Sequence, residues 1–356
     1  MTILDLPSQI KAFAPDLQEK FTRIYSYYES TGHLRIPETM KEWVISRFGD
    51  NIDAIETQKL LRIENKITAD GAVFNSIRAH RPQTKGNKVE ITDIIAEASQ
   101  GHFSDPLNMT PEDIFGRIKG TYCITATNVA KYDAWHGVII FNEPNPLEWS
   151  PEQVVDYFDV AQQWFQKVHE SDSTAVFPLF QWNCLWRAAA SVVHGHAQIT
   201  VAQNQAYSQI EHLRTTSLSY EQIFGSSYFD DNFKIHEALG LGWEIPVGKL
   251  LVPICCKKER EIQILAKSFD SELARTVQKI LTLYRDQLHV QSFNLVGYLH
   301  PLEQTEGWKH MPILIRLIDR GDLTNKNVEI GVMERFAQEV IEHDPYETAS
   351  VLQASL

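Results

Sequence analysis

Ser191-Val192-Val193-His194-Gly195-His196-Ala197-Gln198 is the stretch on which the reading of this chain turns. His194, His196 and Gln198 recur at every second residue, and on a strand that period places all three side chains on one face. Buried polar groups need partners, so two imidazoles and a carboxamide on one side of a core strand call for a polar ligand. Three uses fit the pattern: covalent chemistry at an imidazole, a shared metal ion, or a self-satisfied polar patch. A metal would need a third ligand. Cys184, His136 and His212 are the candidates, and none stands at a diagnostic spacing. Covalent chemistry is the reading placed first. A neutral imidazole is nucleophilic through one ring nitrogen when the other stays protonated against an acceptor such as a backbone carbonyl. Attack on phosphorus then gives a phosphoramidate that can be passed on. Gln198 can donate an amide N–H to a phosphate oxygen but is no proton donor of strength. That suits exchange between phosphates, whose leaving groups need little protonation.

Working outward, TYCITATN and HGVIIFNE read as two short strands from about Thr121. Ser150-Pro151-Glu152-Gln153 supplies a cap, a first-turn proline and a capping-box partner for a helix carrying Val154, Phe158, Ala161, Trp164 and Val168 on one side. TAVFPLFQWN and HGHAQITVA are strand-like again. The second half repeats the order: KLLVPICC and EIQILAKS as a hairpin across Lys257-Lys258-Glu259-Arg260, a helix from about Asp270 to Leu288, then SFNLVGYL and PILIRLID. Strand–strand–helix–strand–strand is thus expected twice, near 121–203 and 248–319. Residues 7 to 60 read as helices, with Phe21, Ile24, Tyr25 and Tyr28 at helical spacing. A closing helix is expected from about Val328 to Glu342, and Asp344-Pro345-Tyr346-Glu347 starts another. Gly240-Leu241-Gly242 reads as a turn.

The chain has 356 residues, 43% of them hydrophobic and 22% charged, as in ordinary globular proteins. No apolar run approaches the ~20 residues of a membrane span. The net charge of −13 argues against a nucleic-acid backbone or an anionic membrane as partner. Four cysteines in so long a chain make no disulfide framework, and the N-terminus shows no secretory signal, so a cytoplasmic setting is expected.

The residues also carry a resemblance. His194-x-His196-x-Gln198, preceded by Ser191 and by Asn183, Ala188 and Ala190, resembles the galactose-1-phosphate uridylyltransferase branch of the histidine-triad superfamily. Upstream, Asn65-Lys66-Ile67-Thr68 and Ser76-Ile77-Arg78-Ala79-His80-Arg81-Pro82 are similar to a family segment whose two arginines contact substrate phosphates. Asn128 resembles its nucleotide-contacting asparagine, and Glu334 a glutamate that contacts the sugar. The similarity runs from about residue 62 to 356.

The resemblance implies an α+β fold of two fused histidine-triad-like units, each an antiparallel sheet with helices, behind an N-terminal helical segment. The divisions expected are 1–60, 61–215 with the catalytic strand, and 216–356. It implies a nucleotidyltransferase working through a nucleotidyl-histidine at His196, with a nucleotide sugar or dinucleotide and a phosphorylated acceptor as substrates. His194 and Gln198 would assist, and Arg78, Arg81, Asn128, Asn183, Ser191 and Glu334 would bind substrate. A homodimer is expected. The alternatives are a phosphorylase or hydrolase of diadenosine polyphosphates or nucleoside-diphosphate sugars, and a non-catalytic nucleotide binder on a decayed transferase. Departures are plain in the sequence. The family's C-x-x-C pair is missing, Asn145 replaces a zinc-ligand histidine, and Asn294 and Val296 stand where iron ligands would, so neither a metal nor another cofactor is expected. Val340 replaces a sugar-contacting glutamine, and Leu185 and Ala189 replace glycines in the loop before the histidines.

Overall fold

Helices α1 (Leu6–Lys11) and α2 (Pro15–Ile24) open the chain, each with proline in its first turn, where its missing N–H costs nothing. The computed structural model describes residues 1–75, 77–78, 91–98, 100–325 and 330–356. The helical spacing of Phe21, Ile24, Tyr25 and Tyr28 stops at Ile24. Tyr25–His33 is a strand, β1, because YSYYEST is rich in strand-forming Tyr and Thr and turns Tyr25 and, in part, Tyr27 to the core at strand spacing. Helices α3 (Lys41–Phe48) and α4 (Ile52–Glu56) follow as expected. β1 pairs antiparallel with β2 (Thr57–Asn65), and β2 with β3 (Gly71–Phe74). The expected division at residue 60 falls inside β2. Ile3, Leu6, Ile10, Phe21 and Ile24 join the main core, so the segment is built into the molecule.

After α5 (Ile91–Ala98) and α6 (Pro106–Met109) comes the first of the two repeats. It comprises β4 (Cys123–Thr127), β5 (Trp135–Phe141), α7 (Pro151–Ser171), β6 (Ala175–Cys184) and β7 (His196–Gln203). Ser150 Oγ accepts the Gln153 N–H at 3.2 Å and Gln153 Oε1 accepts the Ser150 N–H at 2.6 Å, closing the capping box at the head of α7. Helices α8 (Ser208–Phe224) and α9 (Tyr228–Ala238) and strand β8 (Gly242–Ile245) lead to the second repeat. There β9 (Gly248–Leu251), β10 (Ile262–Ala266), α10 (Ser271–Asp286), β11 (Phe293–Tyr298) and β12 (Ile313–Asp319) follow in the same order. All these strands form one nine-stranded sheet, β4-β5-β7-β6-β11-β12-β10-β9-β8. The halves meet at β6–β11, and the order on one side of that seam mirrors the order on the other.

Helices α7 and α10 pack together on one face. Trp164 of α7 lies so close to Gly137 of β5 that a side chain there would meet its ring at 2.8 Å. The opposite face is divided. Over the second half it meets the N-terminal segment, where Asp70 lies 3.9 Å from Arg316. Over the first half it carries the histidines.

The C-terminal region departs from expectation. Val328 lies outside the described residues, and in place of one long helix stand a short α11 (Val332–Phe336) and a strand, β13 (Glu339–Ile341). β13 pairs parallel with β3, Val340 opposite Val73, and completes a four-stranded sheet β1-β2-β3-β13. The strand wins because the backbone groups of β3 need a partner on that edge. α12 (Pro345–Gln353) forms as expected, capped by Asp344, whose carboxylate also accepts Thr2 Oγ–H at 2.5 Å and the Ile3 N–H at 2.8 Å.

The expected hairpin of β9 and β10 is present, but the charged run before β10 is no solvated turn. Lys257 pairs with Asp70 (2.9 Å), Lys258 with Glu339 (3.0 Å), Glu259 with His343 (3.1 Å), Arg260 with Asp319 (2.7 Å) and Glu261 with Arg316 (2.6 Å). Five consecutive side chains thereby tie the N-terminal segment, β12 and the C-terminal strand to one another.

Candidate active site

The loop from β6 to β7 presents the histidines. Leu185 and Ala189 have φ of 64° and 65°, so they hold the left-handed backbone that glycine would adopt without strain. The backbone path is therefore of the glycine type although the glycines are absent. Strand β7 begins at His196, so His194 sits just ahead of it, and the three polar residues do not share one regular strand. The alternation breaks at Gly195, whose N–H donates to Pro144 O and whose carbonyl accepts the Phe141 N–H, both at 3.0 Å.

His194 Nε2–H donates to Phe141 O at 2.8 Å, and His196 Nδ1–H donates to His194 O at 2.8 Å. The second bond sets the tautomer of His196 and leaves the Nε2 lone pair free. Among the described residues Nε2 has no partner, and it is not sealed from solvent. Burial pushes both imidazoles below the ordinary histidine range, which keeps them neutral near pH 7. Phe103 stands edge-on to both rings, with centroids 6.0 and 5.3 Å away. Residues Ile124, Ala126, Val138 and Ile140 form a small apolar floor beside it.

Gln198 lies two residues along β7, opposite Val138 of β5 and Gln181 of β6. Its Oε1 accepts Tyr132 Oη–H at 2.9 Å and His136 Nε2–H at 3.1 Å. The Tyr132 ring lies over the fully buried His136 ring at 3.8 Å. Asn128, expected at the nucleotide, is next to this group. Its N–H donates to His136 O at 2.9 Å, and its Oδ1 accepts the Ala130 N–H at 3.0 Å. Tyr132, Gln181 and Phe103 were not singled out from sequence, and His136 only as a metal ligand. Their proximity is set by strand register and loop path, which no local motif encodes.

Asn183, at the end of β6, accepts Asn294 Nδ2–H at 2.6 Å across the seam. Asn294 also donates to Ala188 O at 2.9 Å, and its oxygen accepts an Arg320 N–H. Arg320 and Arg187 line a charged cleft of about 570 Å³, together with Lys258, Arg260, Glu334 and Val340. Glu334 is half-buried and accepts the Gly331 N–H at 2.8 Å. Ser191 is exposed and makes no side-chain hydrogen bond among the described residues. Arg78 follows β3 and lines an apolar cavity with Ile36, Trp43 and Phe48. Among the described residues no hydrogen bond or ion pair joins it to the histidine strand. Arg81 lies outside the described residues. The structure thus brings His194, His196, Gln198, Asn128 and Asn183 to one face, and leaves Arg78 on the other sheet.

No trio of His, Cys, Asp or Glu among the described residues could hold a metal ion. Of the ligands considered with the histidines, Cys184 is buried against Pro146 O, His136 bonds Gln198, and His212 is exposed. No helix among the described residues is long and apolar enough to cross a membrane.

No family model matches the sequence, and no curated protein sequence matches it. Solved structures do. An ADP-glucose phosphorylase from Arabidopsis thaliana, with ADP-glucose bound, superposes with a TM-score of 0.62 at 14% identity, over 82% of this chain and 97% of its own. A uridylyltransferase gives 0.57 at 13% identity over the same shares, 82% and 97%. A galactose-1-phosphate-uridylyltransferase-like protein from Arabidopsis thaliana gives 0.55 at 14%, over 70% and 90%. This chain has their fold. The α+β architecture of two fused histidine-triad-like units, expected from the resemblance, is the architecture found.

Proposed function

We propose that the protein is a nucleotidyltransferase that moves a nucleoside monophosphate between phosphates through a nucleotidyl-His196 intermediate. The observation that carries this is the bond from His196 Nδ1–H to His194 O, which frees Nε2 as a nucleophile in a buried, neutral ring. His196 Nε2 attacks the α-phosphorus of a nucleotide sugar or dinucleotide. A P–N bond forms, and the P–O bond to the departing phosphate breaks. The ring gains positive charge, which the His194 carbonyl stabilises through the shared hydrogen. Gln198 donates an N–H to a phosphate oxygen. A second phosphate then attacks, the P–N bond breaks, and His196 returns to its neutral form.

His194 is a positioning residue in this scheme, bound to Phe141 O on one side and carrying the acceptor for His196 on the other. Asn128 and Asn183 would hold ribose or phosphate, Ser191 would donate to phosphate, and Glu334 would face the acceptor end. Arg78 and Arg81 would supply positive charge. In a homodimer, which belongs to this proposal, groups remote from His196 in their own chain would serve the second copy. The fold shared with a phosphorylase that binds ADP-glucose supports a nucleotide sugar as donor.

A phosphorylase is the second reading, with inorganic phosphate as acceptor. It is favoured by Val340, which puts an apolar side chain in the charged cleft where a sugar would need a hydrogen-bonding group.

Intact-protein mass spectrometry at mildly alkaline pH tests the mechanism, with UDP-glucose, ADP-glucose, GDP-sugars and diadenosine tetraphosphate given separately. The expected result is a mass gain of one nucleotide, lost in mild acid and absent in His196→Ala. Turnover retained by a folded His196→Ala protein would overturn the covalent step. Nucleotide binding without adduct or turnover would mark a non-catalytic binder. Products formed with and without inorganic phosphate separate transferase, phosphorylase and hydrolase.

A further inference from the structure

We propose that His136 and Tyr132 are positioning residues which hold the Gln198 carboxamide with its N–H side toward the transferred phosphoryl group. This rests on the reaction proposed above and assigns two residues to it.

A carboxamide has two nearly equal-shaped ends of opposite polarity. Beside a phosphate the difference is decisive, since the NH₂ end attracts the anionic oxygens and the carbonyl end repels them. Gln198 is therefore useful in one orientation only. In the structure its oxygen accepts two hydrogen bonds, at 2.9 Å from Tyr132 Oη and 3.1 Å from His136 Nε2. Its Nε2 has no partner among the described residues and stays open to solvent on the His196 face.

The donor identities follow from the surroundings. His136 Nδ1 faces the Tyr132 backbone N–H at 3.5 Å and serves as its acceptor, which places the ring proton on Nε2; there the Gln198 oxygen at 3.1 Å is nearer than the other neighbour, the Asn128 side-chain amide at 3.3 Å. Burial pushes the ring below the ordinary histidine range, so it stays neutral and keeps this tautomer. A reversed Gln198 amide would aim its own N–H groups at the His136 N–H. Tyr132 has a single hydroxyl hydrogen, and Gln181 decides where it goes. Gln181 Nε2 is buried without a partner as placed, while its Oε1 lies 3.2 Å from Tyr132 Oη. Turning the Gln181 carboxamide lets it donate to Tyr132, which then donates to Gln198. The chain of donors from Gln181 through Tyr132 ends on the Gln198 oxygen, as does the donor from His136.

A double-mutant cycle tests this. Tyr132→Phe, His136→Leu and Gln198→Ala are made singly, and each of the first two is combined with Gln198→Ala. Two quantities are read: the rate of nucleotide adduct formation and the dissociation constant for ADP by calorimetry. In the presence of Gln198, each positioning variant should slow adduct formation by about tenfold to a hundredfold, the range for one hydrogen bond to a charged group. In the Gln198→Ala background the same changes should cost less than about twofold. Equal losses in both backgrounds would overturn the proposal, because the residues would then act independently of Gln198. His136→Leu alters a fully buried site. Should it fail to fold, Tyr132→Phe, at a residue 58% exposed, carries the cycle alone.

If ADP binds but no adduct forms, the covalent reading falls, and the cycle in ADP affinity still decides the positioning. A third readout needs no nucleotide. In protein labelled with 15N-glutamine, the Gln198 side-chain amide pair is identified by its loss in Gln198→Ala. That pair should shift and exchange faster with water in Tyr132→Phe. An unchanged pair would overturn the assignment.

Discussion

Gly195→Ala should damage the site through geometry alone. A Cβ on residue 195 would stand 2.8 Å from Glu143 O and 2.9 Å from the Phe141 ring. Neither neighbour can yield cheaply. Phe141 is stacked on Tyr157 at 3.8 Å with parallel planes and packs edge-on to Trp182, and all three rings are buried. Glu143 O is backbone, two residues beyond the carbonyl that receives His194 Nε2–H. Relief must therefore come from separating the 194–196 turn from the Phe141–Pro144 segment, which stretches the bonds that orient both histidines. Overpacking of this kind costs about 1–3 kcal/mol. With about 2.1 cal/mol/K of unfolding entropy per residue over 356 residues, each kcal/mol lowers Tm by about 1.3 °C, so a loss of about 1–4 °C is expected. A weakened His196 Nδ1–H bond should in addition slow adduct formation by about tenfold to a hundredfold. Gly32→Ala is the control, since its Cβ meets nothing nearer than 3.4 Å. Scanning calorimetry and the adduct rate are the assays. A Gly195→Ala protein with unchanged Tm and unchanged rate would refute the reasoning.

Ala189→Gly should stabilise the protein by up to about 1 kcal/mol, because Ala189 holds φ of 65° at a cost of about 1–2 kcal/mol to an L side chain, partly offset by the greater freedom of unfolded glycine. Denaturant unfolding reads this, and a loss of stability would contradict the strain. Glu261→Gln should cost about 3–5 kcal/mol, since Glu261 is fully buried and the change leaves the Arg316 guanidinium, 2.6 Å away, without the charge that neutralises it. A change below about 1 kcal/mol in the denaturation midpoint analysis would show that water or Asp70 compensates. Buried His236 is pushed down to about 4, chiefly by desolvation, with Nδ1–H bonded to Asn232 O and Nε2 accepting the Ile254 N–H. Its folded-state value lies below the unfolded one of about 6.5, so the unfolded chain binds the proton more readily. Its contribution is complete above about pH 6.5 and is lost as pH falls toward 4. Melting curves of the wild type should drop across that window more steeply than those of His236→Gln, and parallel curves would reject the assignment.

Much of the fold was legible because its signals are local. Ser150 to Gln153 announces α7 through a cap that closes within four residues, and the strands of both repeats carry alternating or continuous apolar runs. β1 was hidden because Tyr25 and Tyr28 continue a helical spacing begun at Phe21. β13 was hidden because three residues make no pattern, and their structure comes from pairing with Val73 far earlier in the chain. The site divides in the same way. His194, His196 and Gln198 stand close together in sequence and can be read as one group, and the acceptor that fixes the tautomer of His196 is the carbonyl only two residues away. His136 reaches Gln198 through the β5–β7 register and Tyr132 through the path of the loop before β5, neither of which the sequence prints. The ion pairs of residues 257–261 were hidden for the same reason, since each partner arrives from another part of the chain.

The parallel pairing of β13 with β3 bears on how the molecule is made. Val73 leaves the ribosome 267 residues ahead of its partner Val340. Until then β3 exposes an unpaired edge, a template for the wrong neighbour, and Lys258 lacks Glu339. The nine-stranded sheet can assemble on the ribosome as its two repeats appear, but the smaller sheet closes only after β13 has followed both of them. A product stalled before Glu339 would carry both histidines and still leave an adhesive strand uncovered, so correct closure of the smaller sheet reports that translation has passed both repeats.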